Sequence, residues 1–219
     1  VAVKNFNGRA CWLTNPPTGQ PSAIYSDVLL PRTVTGATQV LTFDDNLPLT
    51  ALGNLGVGAI LTGGITQSLI VFKGTSGMTQ VTGDAATSNL AKNNLSVPTG
   101  TLAPNSICPT PKGLAFMSPD GMRIIDFHTN VSDPIGVAGS GITVPFTYSA
   151  IPSRVAAACG SSVMRVSTEN GSSAHAMFPE PDQEYWYDFS RSLWTGPHTS
   201  AVSLIARYNN TFLLTLVDV

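Results

Sequence analysis

Thirteen acidic side chains and three histidines are the residues of this 219-residue chain whose chemistry could reach beyond packing. A glycoside-cleaving centre needs two carboxyl groups held a fixed distance apart across a cleft. Three pairs lie close enough in sequence to be considered: Asp44 with Asp45, Glu180 with Asp182, and Asp126 with Asp133. Neighbouring acids in polar loops are ordinarily solvated surface, and nothing in the surroundings of these pairs singles one out. His128, His175 and His198 lie near many serines, so a Ser/His/Asp set can be drawn on paper, but no G-x-S-x-G elbow stands between a strand and a helix. Asp120, in SPDG at 118–121, is the remaining acid of interest, set between two apolar runs.

Metal and phosphate chemistry find no pattern. Calcium loops of the D-x-D-x-D-G type are missing, and Asp44 and Asp45 are followed by no ladder of oxygen ligands. Cys11, Cys108 and Cys159 are odd in number, far apart and outside any CxxC or Cys/His spacing. This argues against a zinc site or a disulfide framework and for folding in a reducing compartment. The Gly-rich passage LGNLGVGAILTGG at 52–64 lacks G-x-x-x-x-G-K-[ST], and reads as a loop or a strand edge facing a neighbouring subunit. The sequence therefore assigns no catalytic, cofactor-binding or metal-binding residue, and no cofactor.

The elements that would position such residues are short and extended. Hydrophobic residues make up 42% of the chain and charged ones 11%, enough to build a core and too apolar for a disordered segment. The 20 Gly and 16 Pro break the chain every few residues, leaving no apolar window long enough to span a membrane as a helix. Net charge is −2 and the 11 basic residues are scattered, so the basic footprint of a tight nucleic-acid binder is missing. The chain opens on Val1 without an initiator Met or a signal peptide, which suggests a fragment or a trimmed start. Runs of Val, Ile, Leu, Phe, Thr and Tyr between turn residues predict an all-β fold. At most a short helical turn is expected at 87–95.

A repeat organises these strands. Stretches of sixteen residues beginning at Val1, Ile70, Leu114, Val155 and Ser203 each read as an apolar run, a turn pair and a second run. The turn pairs are Asn7 and Gly8, Ser76 and Gly77, Asp120 and Gly121, Ser161 and Ser162, and Asn209 and Asn210, all residue types that suit tight hairpin turns. Hairpins are thus expected at 1–16, 70–85, 114–129, 155–170 and 203–218. Their spacing of about 40–50 residues is that of four-stranded propeller blades. The expectation is one β-propeller-like domain over residues 1–219, with the first runs IVFK, LAFM, VAAAC and SLIA at the buried inner positions. A further hairpin is expected in EYWYDFSRSLWTG at 184–196, with Trp186 and Trp194 packed in the core. Because Asn and Ser replace Asp120 in the other copies, Asp120 is expected to be a turn corner and not a catalytic acid.

The order of SLIVFKGTSGMTQVTGD at 68–84, GLAFMSPDGMRIIDF at 113–127 and YWYDFSRSLWTGPH at 185–198 resembles the tail nozzle or hub proteins of short-tailed bacteriophages, also called packaged-DNA stabilisation proteins. The resemblance implies a non-enzymatic structural subunit of a virion tail, made in the host bacterial cytoplasm and assembled as a homo-oligomeric ring with tail and portal partners. Such a ring closes the DNA channel after packaging, lets DNA pass without tight binding and opens on ejection. Long loops at 85–112 and 128–153 would then contact neighbours or line the channel. SPDG also faintly resembles the Asp-box turn of sialidases, S-x-D-x-G-x-T-W, but Gly follows Asp120 immediately and the Trp is missing. The alternative reading is a carbohydrate-binding or glycoside-cleaving propeller that holds sugar with exposed Trp, Tyr and acidic loop residues.

Overall fold

The computed structural model describes residues 3–36, 38–57, 66–84, 89–135, 155–168, 183–199, 202–208 and 212–217. The fold is all-β, with three four-stranded antiparallel sheets among the described residues. The chain divides into two compact units, Val1–Thr101 with Phe127–Asn130, and Leu102–Asp126 with Val131–Val219.

In the first unit, β1 (Val3–Phe6), β2 (Arg9–Thr14), β3 (Ser22–Tyr25) and β4 (Val40–Thr42) pair in chain order to form one sheet. A second sheet follows from β5 (Leu49–Val57), β6 (Thr66–Lys73), β7 (Gly77–Asp84) and β8 (Asn89–Asn94), again in chain order. Alternation along β2 and β3 sends Cys11, Ala23 and Tyr25 to one face, where they meet Leu52, Leu69 and Val71 of the second sheet. Leu69 to Phe72 of β6 are all buried, as expected for a central strand covered on both faces.

In the second unit, β9 (Cys108–Thr110), β10 (Gly113–Ser118) and β11 (Gly121–Ile125) form a three-stranded sheet with β10 central. The strands β12 (Ala156–Gly160), β13 (Val163–Thr168), β14 (Gln183–Asp188) and β15 (Leu193–Thr199) form a four-stranded sheet, and β16 (Val202–Tyr208) pairs with β17 (Phe212–Val217). The core of this unit mixes small and flexible side chains, including Ala115, Met117, Ala157 and Met164, with Tyr187 and Trp194. Cys108 and Cys159 are buried in it without a disulfide, as Cys11 is in the first unit.

All five expected hairpins are present as the antiparallel pairs β1/β2, β6/β7, β10/β11, β12/β13 and β16/β17. Asn7 and Gly8 form the first turn, both at positive φ (50° and 74°), and Ser161 and Ser162 form another with Ser161 at φ 49°. Two turns are displaced from the expected pairs. In β6/β7, Gly74 takes the left-handed position at φ 56°, so Gly74–Ser76 turn the chain and Gly77 already pairs with Lys73. In β10/β11, Ser118 pairs with Gly121, so the corner is Pro119 and Asp120, with proline fixing the first turn position. Asn209 and Asn210 lie outside the described residues.

The hairpin does not occupy the same place in every sheet. It is the opening pair of the sheets β1–β4 and β12–β15, but the middle pair of the sheet β5–β8. Two expectations for the intervening segments are also corrected. Residues 89–94 are strand β8, not a helical turn, because their backbone pairs with β7 along its length. The stretch expected as a loop from 85 to 112 therefore carries β8 and β9.

Gly113 shows why one backbone position admits no side chain. It follows the turn after β9 at φ 137°, and a Cβ there would lie 2.0 Å from the Ile125 carbonyl oxygen.

Candidate functional site

The outer face of the sheet β12–β15 gathers the chemistry-bearing side chains of the second unit. Tyr185 and Tyr187 of β14 point into the core, so Glu184 and Trp186 take the opposite face. Arg165 of β13 lies directly across from Trp186. His198 would belong to the core face of β15 if pairing were regular, because Trp194 is a core residue four positions earlier. Pairing is not regular: Trp186 is opposite Thr195 while Glu184 is opposite His198, with one extra residue on β15 in between. Such a bulge reverses the side-chain alternation beyond it and brings His198 to the Trp186 face. Gly196 sits in this bulge at φ 127°.

Trp186 is 40% exposed. Its indole Nε1–H donates to Glu184 Oε1 at 2.6 Å, the Arg165 guanidinium lies 5.4 Å from its ring centroid, and the His198 ring is 4.7 Å away at 39°. Glu184, 2% exposed, also accepts from Arg165 Nε and, at 2.8 Å, from Arg165 Nη2. His198 Nε2 is buried and has no hydrogen-bond partner among the described residues. The arrangement is a held aromatic plate: the carboxylate fixes the indole edge and the guanidinium, while the Trp186 side chain stays partly open to solvent. Such a plate can stack on the C–H face of a sugar ring.

Trp194 is in the core as expected, 3% exposed, with Nε1 donating to the Ile135 carbonyl at 3.0 Å. The core placement of Trp186 is corrected, since strand alternation puts it on the face opposite Tyr185 and Tyr187. The expected hairpin within 184–196 is β14/β15.

The acids weighed from sequence are distributed as follows. Asp120 is the corner of β10/β11, accepting from Ser118 Oγ at 2.6 Å and from Arg123 Nε at 3.1 Å and Nη2 at 2.5 Å. The Arg123 side chain holds its carboxyl down at about 2, so it is ionised and committed within its own turn. Asp188 likewise caps the next turn, accepting from the Ser190 backbone N–H and hydroxyl, which lower its pKa. Asp44 and Asp45 belong to the first unit and are each beside a lysine, Lys92 and Lys73 respectively. Asp126 and Asp133 flank the bridge between Ile125 and Val131. His128 is exposed. Glu180, Asp182 and His175 lie outside the described residues, as does the stretch 58–65 of the Gly-rich passage, whose earlier part is in β5. Among the described residues, no group of three His, Cys, Asp or Glu side chains converges as metal ligands. No helix among them is long and apolar enough to cross a membrane.

No family model matches the sequence, and no curated protein matches it. Among solved structures, a mutant apocarotenoid oxygenase from Synechocystis is similar at 12% identity and a TM-score of 0.47, over 93% of this chain and 50% of that one. The chain thus spans about half the length of that structure, and a likeness at this level carries no fold or activity across. The resemblance to phage tail nozzle or hub proteins is corrected by these findings: neither a family model nor a curated protein of that kind is matched. The reading as a non-enzymatic tail component falls with it. The tail and portal partners, the passage of DNA and the place in a virion rested on that resemblance alone and are not carried forward.

Proposed function

We propose that this chain is a carbohydrate-binding or glycoside-cleaving module in which Trp186 is the sugar-stacking plate. The observation that carries the reading is the pairing of a part-exposed Trp186 with an indole edge and guanidinium fixed by buried Glu184. An aromatic side chain immobilised before binding loses little entropy when a ring stacks on it. The Arg165 guanidinium, on a side chain 22% exposed, adds a polar group beside the plate, which suits hydroxyl-rich ligands.

In the same proposal, the five sheets are blades of one propeller-like domain over residues 1–219. Its support is the recurring hairpin and the succession of antiparallel sheets opening at Val3, Leu49, Cys108, Ala156 and Val202.

A glycan array, followed by hydrolysis assays on the bound glycans, tests the function. Binding is expected, and Trp186→Ala should weaken it at least about tenfold, the ordinary cost of removing an aromatic anchor. Binding unchanged in that variant, or no glycan bound by the folded protein, refutes the proposal.

A further inference from the structure

Lys73 ends the apolar run of β6 and is 4% exposed, an unusual place for an ammonium group. Its Nζ donates to Asp45 Oδ2, lies 3.5 Å from Asn94 Oδ1, and sits 5.0 Å from the centroid of the Phe43 ring beneath it. An ammonium has three protons, and these two acceptors use two of them. Thr79, 1% exposed, donates its hydroxyl to the same Asn94 oxygen at 2.6 Å, which fixes the amide. Lys92 Nζ, held by the Thr42 carbonyl at 2.9 Å, lies 3.7 Å from Asp44. These side chains line an open pocket of about 330 Å³ within the first unit, and an adjoining one of about 180 Å³ shares Lys73, Asp45 and Asn94.

We propose that this pocket binds a small, neutral, polyhydroxylated ligand of the size of one hexose. Its charges balance, two lysines against two aspartates, so it offers no net attraction to an anion. What it offers is charged donors and charged acceptors side by side. A vicinal diol matches that pattern, because each hydroxyl can accept from an ammonium and donate to a carboxylate, and hydrogen bonds to charged groups are the stronger ones. The volume is at the lower end of the range in which small molecules bind, about 300–1,000 Å³. The proposal extends the carbohydrate reading to a second place, but it uses none of the residues around Trp186.

The test is titration of the protein with D-glucose, D-galactose and D-mannose, and with inorganic phosphate and glycine as anionic and zwitterionic contrasts. It is followed by the backbone amide resonances of Lys73, Thr79 and Asn94. At least one hexose should give saturable shifts at millimolar concentration, with affinity lowered about tenfold or more in Lys73→Met and several-fold in Asn94→Ala, and unchanged in Trp186→Ala. Asn94 is exposed, so its variant carries the test if Lys73→Met does not fold. No saturable shift with any hexose up to about 100 mM, saturation by phosphate or glycine alone, or hexose affinity unchanged in Asn94→Ala overturns the proposal. Loss of glycan binding in Trp186→Ala with these shifts intact bears on the Trp186 plate only.

Discussion

Glu184→Gln is the sharpest probe of the Trp186 plate. Glu184 is 2% exposed, and its carboxylate accepts two hydrogen bonds from Arg165 and one from the Trp186 indole among the described residues. Glutamine keeps the shape but replaces one acceptor oxygen by a donor that faces another N–H, and it removes the charge that strengthens the rest. A hydrogen bond to a charged group contributes about 1.5–3 kcal/mol, and breaking a fully buried pair costs about 3–5 kcal/mol. The Arg165 side chain keeps 22% of its surface in water, so the variant should lose about 2–3 kcal/mol. For a chain of this length that lowers Tm by about 4–12 °C. Urea denaturation measures it directly, as a lower midpoint at unchanged slope. A double-mutant cycle with Arg165→Met should return a coupling of at least about 1 kcal/mol. A loss below about 0.5 kcal/mol, or a coupling indistinguishable from zero, refutes the view that this carboxylate holds the plate.

Further predictions concern the turns and the cores. Asp120 has a folded pKa lowered from 3.8 to about 2, so its contribution is present above the unfolded value and is lost as pH falls through about 2. Its side chain is 53% exposed, and screening reduces that contribution to about 0.5–1 kcal/mol; Asp120→Asn should cost this much at neutral pH and progressively less in denaturation curves as pH falls through about 2. If Asp120→Asn instead abolished a sugar-directed activity with the fold intact, the turn-corner reading would fail. Gly113→Ala should destabilise by about 3 kcal/mol or more, or block folding, because the new Cβ meets the Ile125 carbonyl; a thermal melt within a degree or so of wild type would be inconsistent with this. Burial pushes the Cys11 thiol up to about 12, so in native protein at pH 8 it should resist a thiol reagent that labels it quickly in denaturant. Labelling at equal rates in both states would contradict its placement in the core.

The hairpins were legible because their signals are local. Asn7–Gly8 and Ser161–Ser162 supply the backbone freedom a two-residue turn requires, and the apolar runs of β6, β10 and β12 are buried as their composition implies. The turn at Gly74 was misplaced by the neighbouring Ser76–Gly77 pair, since both contain residues that permit positive φ and only the pairing of Lys73 with Gly77 decides between them. Strand β8 was hidden because its polar sequence, NLAKNN, owes its conformation to the backbone of β7 and not to its own side chains. The functional sites were harder still. Trp186 looks like a core residue beside three other aromatics, and its exposure follows from the parity of β14; His198 joins it through a bulge whose sequence signal is the Gly196–Pro197 pair. Lys73 had one visible cue, a charge closing the run SLIVF, but the acids and amide that meet it come from the segment before β5 and from β8.

The shifting place of the hairpin within its sheets bears on how the molecule can be cut. A boundary drawn at the repeat start Ile70 falls inside β6, separating its first residues and β5 from β7 and β8, so a fragment defined by sequence similarity would carry an unpaired strand edge of Ile70, Val71, Phe72 and Lys73. A break made after Asn94 and before Cys108 leaves every described sheet whole. Circular permutants or dissected halves of this protein should therefore be opened there, beyond Leu95, whose N–H still donates to the Met78 carbonyl.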